Sequence, residues 1–478
     1  MFAGIIERIL LIAESRLLKR LVKIMKVRSR VFEVILYMLP VIFLILGFFL
    51  FNVPMIRSDG LGYFVWLDSI VQDRNLNLEN QFIQYSPING YQMYRDRVTQ
   101  QIVTPFAFGS AILWLVPYSL FLRMGALLPL ETWFHFLLLR IIPIPNYDCV
   151  GPIRSLAITF STNLLALGAV YLAIDIIRRR MSLATGVTAA LSVAFGTPFM
   201  YYASIEPSMS HVPGAFIMTV IFWLFHRFDL DKDVNQHPFI WAALGLATGL
   251  ATLVRWQLVL VAIPLALLLL YRKNWLSLSL FIIGISLLTW SVPAVWYRLY
   301  NRFITVPAEH VHRNPFVVGP KYLLETWFSA RAGLFVWSPV LLLSFLGILN
   351  FPGTEYTSLL FGLSVFILQS LVNASVSDWS GGWAFGMRRL TELYPFYVIA
   401  LAWFLDPLGR AYRRSGWALG IALCSVLSIW SVFLLISYHS SFIRPDTGTP
   451  LDAIRFFANL DGSMWYGVIG DVRAWLGF

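Results

Sequence analysis

The sequence predicts an all-α protein: a polytopic transmembrane helix bundle of about 12–13 spans with interfacial helices in its first outer loop. Three observations predict it. Hydrophobic residues make up 58% of the 478 and charged residues 13%, about half the charged share of a soluble domain, and mean hydropathy is +0.71. Apolar runs near the ~20-residue length that crosses a bilayer recur along the chain. Basic residues gather between alternate runs, as the positive-inside bias requires. This composition excludes a soluble globular fold and a disordered chain. With two cysteines, Cys149 and Cys424, it also excludes a disulfide framework or a cysteine-based zinc site.

Each element follows from that pattern. Residues 1–33 set eight basic residues, Arg8 to Arg30, among Ile5, Ile9, Ile12, Leu17, Leu21 and Ile24, a basic amphipathic helix lying on the cytoplasmic surface. A signal peptide would instead carry one apolar run and a small-residue cleavage site. The uncharged run 34–53 is the first span. The loop 54–102 is too short for a domain and long enough for interfacial helices. Spans follow at 103–122, 154–177, 183–203, 209–225, 238–254, 257–271, 276–297, 334–350, 357–373, 391–405 and 416–437. A weaker apolar stretch, 126–144, lies around Phe134-His135-Phe136.

Orientation comes from the basic residues. With 1–33 inside, Arg178-Arg179-Arg180, Arg272-Lys273 and Arg410, Arg413 and Arg414 are also inside only if 126–144 returns the chain outward, so it is taken to cross. The outward segments are then 54–102, 145–153, 204–208, the corner at Arg255, 298–333, 374–390 and 438–478. The organisation is a cytoplasmic helix (1–33), one transmembrane domain (34–437) and a short outer tail (438–478), with no internal repeat or low-complexity run. Of the formal charge of +11, the inner segments carry +10. A basic balance that would suggest nucleic acid in a soluble protein is here an orientation signal, and no nucleic-acid partner is expected.

The residues able to do chemistry lie on the outer side. The first outer loop opens Arg57-Ser58-Asp59-Gly60-Leu61-Gly62-Tyr63-Phe64. A carboxylate held there can take a proton from an acceptor hydroxyl; equally, an aspartate before glycine is a common helix start. Glu206 and His211, in Glu206-Pro207-Ser208-Met209-Ser210-His211, stand at the mouth of the bundle. They either line a polar cavity or sit in a turn whose proline starts the next helix. Arg255, Arg331 and Arg388-Arg389 face outward against the positive-inside pattern. Guanidinium groups bind phosphate through paired hydrogen bonds; the alternative is snorkelling to lipid headgroups or pairing with Asp378 or Glu392. Glu309, His310, His312 and Arg313 form a polar cluster in 298–333 able to touch substrate, although His-x-His alone is weak evidence for metal. There is no P-loop, no dinucleotide-binding glycine fingerprint and no nucleophile elbow.

At these residues the chain resembles the GT-C class of integral membrane glycosyltransferases. It is most similar to the protein O-mannosyltransferase and lipid A aminoarabinose transferase branch and its bacterial relatives. The resemblance runs from about residue 34 to 405. It rests on Ser58-Asp59-Gly60-x-Gly62-Tyr63, Thr104-Pro105-Phe106-x-Phe108-Gly109, Glu206-Pro207-Ser208-Met209-Ser210-His211 and Leu253-Val254-Arg255. The later marks are Ser329-x-Arg331-x-Gly333-Leu334-Phe335-x-Trp337-x-Pro339 and Asp378-Trp379-x-Gly381-Gly382-Trp383-x-Phe385-Gly386-x-Arg388. Each mark is degenerate alone; their order and shared outer side are more specific.

The resemblance implies a polyprenyl-phosphate sugar donor presented from the outer leaflet. Asp59 would be the catalytic base in a single inverting displacement. Glu206 would be a second acidic residue orienting acceptor or donor, and Arg255 and Arg388 would hold the leaving phosphate, with Arg331 a lesser candidate. Tyr63, His211 and His310 join the arginines as substrate contacts. It also implies an integral protein of a bacterial inner membrane, surrounded by membrane lipids, with its site on the periplasmic face. The first loop lacks the Asp-x-Asp metal motif of the oligosaccharyltransferase branch, so no metal or other cofactor is expected. Only residues 438–478 stand where some relatives carry a large soluble domain, so the expected acceptor is a glycan or a lipid-linked molecule.

Two other readings compete. A flippase or transporter of a lipid-linked saccharide should show pseudo-repeats and polar residues near mid-membrane, whereas the ionisable residues here cluster outward. O-antigen polymerases and ligases place their main polar loop late in the chain, whereas here it follows the first span.

Overall fold

The structure, a computed structural model, describes residues 33–42, 59–85, 94–127, 150–228, 237–303, 316–440 and 442–459, apart from positions 97, 105, 445 and 446, together with Val31, Ile45, Ile56 and Leu230. The expected surface helix over 1–33, most of 126–144 and the Glu309–Arg313 cluster with His310 and His312 lie outside the described residues.

The described chain is a bundle of apolar helices. The sequence run 103–122 becomes the helix Gly109–Leu127, 154–177 becomes Pro152–Arg178, and 209–225 becomes His211–Arg227. The helix over 238–254 has the predicted limits, Pro238–Val254. Four described helical stretches are long and apolar enough to cross a bilayer unaided: Ile153–Arg178, Trp275–Tyr300, Gly353–Ala374 and Ser415–His439. A fifth, over 183–203, is broken. Leu183–Phe195 and Pro198–Ser204 meet at a bend of 72°, because Thr197 caps a new helix and Pro198 opens it. The run 257–271 is likewise composite, a 3₁₀ turn Trp256–Val261 leading into Ala262–Tyr271.

The last two expected spans, 391–405 and 416–437, fall in one helical stretch, Tyr394–His439. A straight helix of this length would run about 69 Å and would hold residues 405 and 420 about 22 Å apart. Instead Gly420 lies against Leu405 and Leu408, and Gly409 against Trp417. Tyr394 and Ser428 both reach one helix, donating to Ala190 O and Ser192 O. The stretch therefore doubles back at the basic segment 410–414, and its two legs are antiparallel.

The helices Pro238–Val254 and Trp275–Thr289 approach closely. A Cβ at Gly245 would collide with Phe281 O, and one at Gly284 with Ala242 O. Without a hydrophobic drive in lipid, such small-residue contacts let backbones pack and gain dispersion energy.

The described part of the loop 54–102 is folded onto the bundle. A helix, Asp59–Asp68, passes into a π turn, Ser69–Asp73, and a second helix, Glu79–Tyr85. Tyr94–Arg95 and Ile102–Val103 pair as a short antiparallel ladder, the only named strands among the described residues. The loop is pinned where Asp68 accepts from Tyr85 Oη at 3.0 Å and pairs with Arg154 at 3.7 Å. Burial pushes the Asp68 carboxyl above its ordinary value, with Arg154 and Tyr85 offsetting part of that shift.

Candidate active site

Asp59 opens the first-loop helix. A carboxylate at a helix N-terminus is favoured by the backbone dipole, so the helix-start reading and the chemical reading of this residue hold together. The helix is set in place by close approach: any side chain at Gly60 would strike Ser208, so only glycine lets Asp59 sit this near the 206–211 turn. Trp66 Nε1 adds a hydrogen bond to Phe106 O at 3.0 Å.

Asp59 then faces a cavity of about 560 Å³ that Tyr63, His211, Arg255, Arg388 and Arg389 also line. Arg388 Nη2 donates to Asp59 Oδ2 at 3.4 Å across 329 residues of sequence. Both side chains keep an open face, 13% and 29% exposed respectively. The backbone before Arg388 turns tightly, with Gly381 at φ +78° packed against the guanidinium, a conformation costly for any other residue. Burial works against the Arg388 charge, but Asp59, then Tyr202, Glu206 and Asp378 outweigh it and hold its pKa above the ordinary arginine value.

Arg255 ends the helix Pro238–Val254 in extended conformation, φ −150° and ψ 125°. The break swings its side chain into the cavity wall. Its Nε lies 3.2 Å from Glu392 Oε1, and its Nη1 donates to Ser210 Oγ at 3.3 Å. His211 Nδ1 is 2.9 Å from the same Glu392 oxygen and 3.2 Å from Arg255 Nη1. A carboxylate accepts, so in the tautomer that fits, Nδ1–H gives its hydrogen to Glu392, and the Nε2 lone pair, 3.4 Å from Arg255 Nη1, faces the guanidinium. Among the described residues Arg255 Nη2 has no hydrogen-bond partner, which leaves a donor for a ligand.

Arg389 is committed inside the protein, to Asp378 Oδ2 at 2.8 Å, Asp378 O at 2.6 Å and Asn373 Oδ1 at 3.3 Å. Gln257 Nε2 donates to Arg389 O at 3.0 Å and ties the Arg255 corner to the arginine pair. Burial pushes the Tyr63 phenol above its ordinary value, so it remains a hydroxyl donor at the cavity wall. Val259, Leu260, Val372 and Val376 make part of the wall apolar.

Five of the eight residues singled out from sequence, Asp59, Tyr63, His211, Arg255 and Arg388, therefore share one cavity. Glu206 does not line it, but its charge acts on Arg388. Arg331 is exposed and stands apart, because Ser329–Gly333 is a turn, closed by Gly333 N on Ser329 O and by Trp337 Nε1 on Ala330 O. His310 lies outside the described residues. The central residue missed from sequence is Glu392. It showed there only as one possible counter-ion for arginine, and nothing local ties it to His211, 181 residues earlier.

No described protein family matches the chain, and no curated protein does. Among solved structures, the crystal structure of ArnT from Cupriavidus metallidurans bound to undecaprenyl phosphate is similar, with a TM-score of 0.52 at 13% sequence identity. The match covers 85% of this chain and 69% of that one. At this identity the likeness is one of fold: the chain has a GT-C-like polytopic membrane fold.

Proposed function

We propose that this protein is a glycosyltransferase that moves a sugar from a polyprenyl-phosphate donor to an acceptor hydroxyl on the outer face of the membrane. The observation that carries the proposal is the meeting of Asp59, Arg255 and Arg388, from three distant parts of the chain, around one cavity. The GT-C-like fold, and the undecaprenyl phosphate bound to the similar ArnT structure, support it.

The chemistry is a single displacement. Asp59 takes the proton of the acceptor hydroxyl as its oxygen attacks the anomeric carbon. The bond from that carbon to the phosphate oxygen breaks, its electron pair goes to the phosphate, and configuration inverts. Charge develops on the phosphate in the transition state, where preorganised donors stabilise it most; Arg255 and Arg388 supply them. Glu206 acts from behind Arg388, while Tyr63 and His211 contact the donor headgroup. The apolar part of the wall suits the prenyl chain. No metal is needed, since the charged partner beside Asp59 is a guanidinium rather than a second carboxylate. The acceptor is a glycan or lipid-linked hydroxyl, and the setting is a bacterial inner membrane with the cavity on the periplasmic side.

The test is binding. The detergent-solubilised full chain should bind undecaprenyl phosphate, and alanine at Arg255 or Arg388 should weaken it about tenfold or more. Wild-type protein that binds no undecaprenyl phosphate would overturn the proposal.

A further inference from the structure

Glu392 is placed unusually for a residue near an anion site. It is 1% exposed and lies behind the cavity wall, with Arg255 and His211 between it and the open space. Its Oε1 takes both contacts described above, while Oε2 has no hydrogen-bond partner among the described residues. Room for it exists only because residue 214 is glycine: a Cβ there would lie 2.6 Å from Glu392 Cγ. A buried carboxylate is unfavourable unless paired, and this one sits beside a guanidinium that would hold phosphate more tightly alone.

The chemistry of the reaction gives it a use. This inference rests on the polyprenyl-phosphate reading above. A polyprenyl-phosphate sugar is a phosphodiester with one negative charge. The lipid phosphate left after transfer is a monoester, whose second pKa near 6 brings it close to two charges at neutral pH. Asp59 meanwhile gains a proton and ceases to offset Arg388. A site of uncompensated arginines would therefore hold product more tightly than donor, and turnover would stall at release. We propose that Glu392, acting through Arg255, is a buried counter-charge that lets the product lipid phosphate leave.

The experiment uses the full chain in detergent, with undecaprenyl phosphate as the probe. Glu392→Gln removes the charge but not the shape and should bind the probe more tightly, on the order of tenfold. Glu392→Met should tighten it as well. Glu392→Asp, which keeps the charge, should bind as wild type does, and adding Arg255→Gln to Glu392→Gln should abolish the tightening. In steady-state transfer Glu392→Gln should lower kcat and KM together while single-turnover transfer is not slowed to match. A purely structural role would loosen binding instead. Unchanged or weaker binding in the Gln and Met variants overturns this inference and leaves the transferase proposal standing. Wild-type protein that binds no probe overturns both.

Discussion

Arg388 joins the two halves of the proposed chemistry, since one guanidinium touches the base and faces the cavity where the phosphate would lie. Replacing it with alanine should lower transfer about 10²–10³-fold and weaken donor binding, whereas Arg331→Ala should change neither; a rate assay paired with binding separates them. Transfer should also survive chelation: activity measured in EDTA should match the untreated rate, and a loss restored by divalent cation would contradict the metal-free reading. Asp59, Arg255 and Arg388 were legible because ionisable residues in so apolar a chain are conspicuous. Glu392 was not, because a carboxylate at the start of an apolar run reads the same whether it pairs with a distant arginine or with solvent. The network also divides the arginines: Arg389 is absorbed by Asp378, as the pairing alternative anticipated, while Arg255 is paired and still holds a donor open to the cavity.

At the scale of elements, hydropathy located the helices and the corner at Arg255, which brings that residue to the cavity, but not the bend at Thr197-Pro198 inside 183–203. Composition averaged over about 20 residues hides such a bend. Close packing was equally hidden, although Gly245-Leu246-Ala247-Thr248-Gly249 carries the small-residue spacing that marks helix contacts in membranes. Gly245→Leu should drive the helices Pro238–Val254 and Trp275–Thr289 apart, cost about 3 kcal/mol or more, and displace Arg255 at the end of the first. Thermal unfolding in detergent checks it against Gly353→Ala, where an added methyl meets nothing within 4 Å and no loss is expected.

For the molecule as a whole, the charge that first stood out is read from the sequence as an orientation signal. Most of the +11 falls on the segments expected to be inner, and some of it is locally paired, Arg178 and Arg179 with Asp175 and Arg180 with Glu355. The doubling back of Tyr394–His439 places its basic segment with that group. In a Cys149→Ser background, with Cys424 buried, a membrane-impermeant thiol reagent on intact cells should label Val318→Cys, which is fully exposed at 103%, and spare Arg272→Cys. The reverse pattern would put the cavity on the cytoplasmic side.

The central claim is that Asp59 is the base, and one measurement reaches it most directly: single-turnover transfer of labelled sugar from a polyprenyl-phosphate donor by Asp59→Asn, with undecaprenyl phosphate binding measured on the same preparation. Transfer should fall about 10²–10⁴-fold while binding stays within a few-fold of wild type. Transfer at the wild-type rate by a variant that still binds would contradict it.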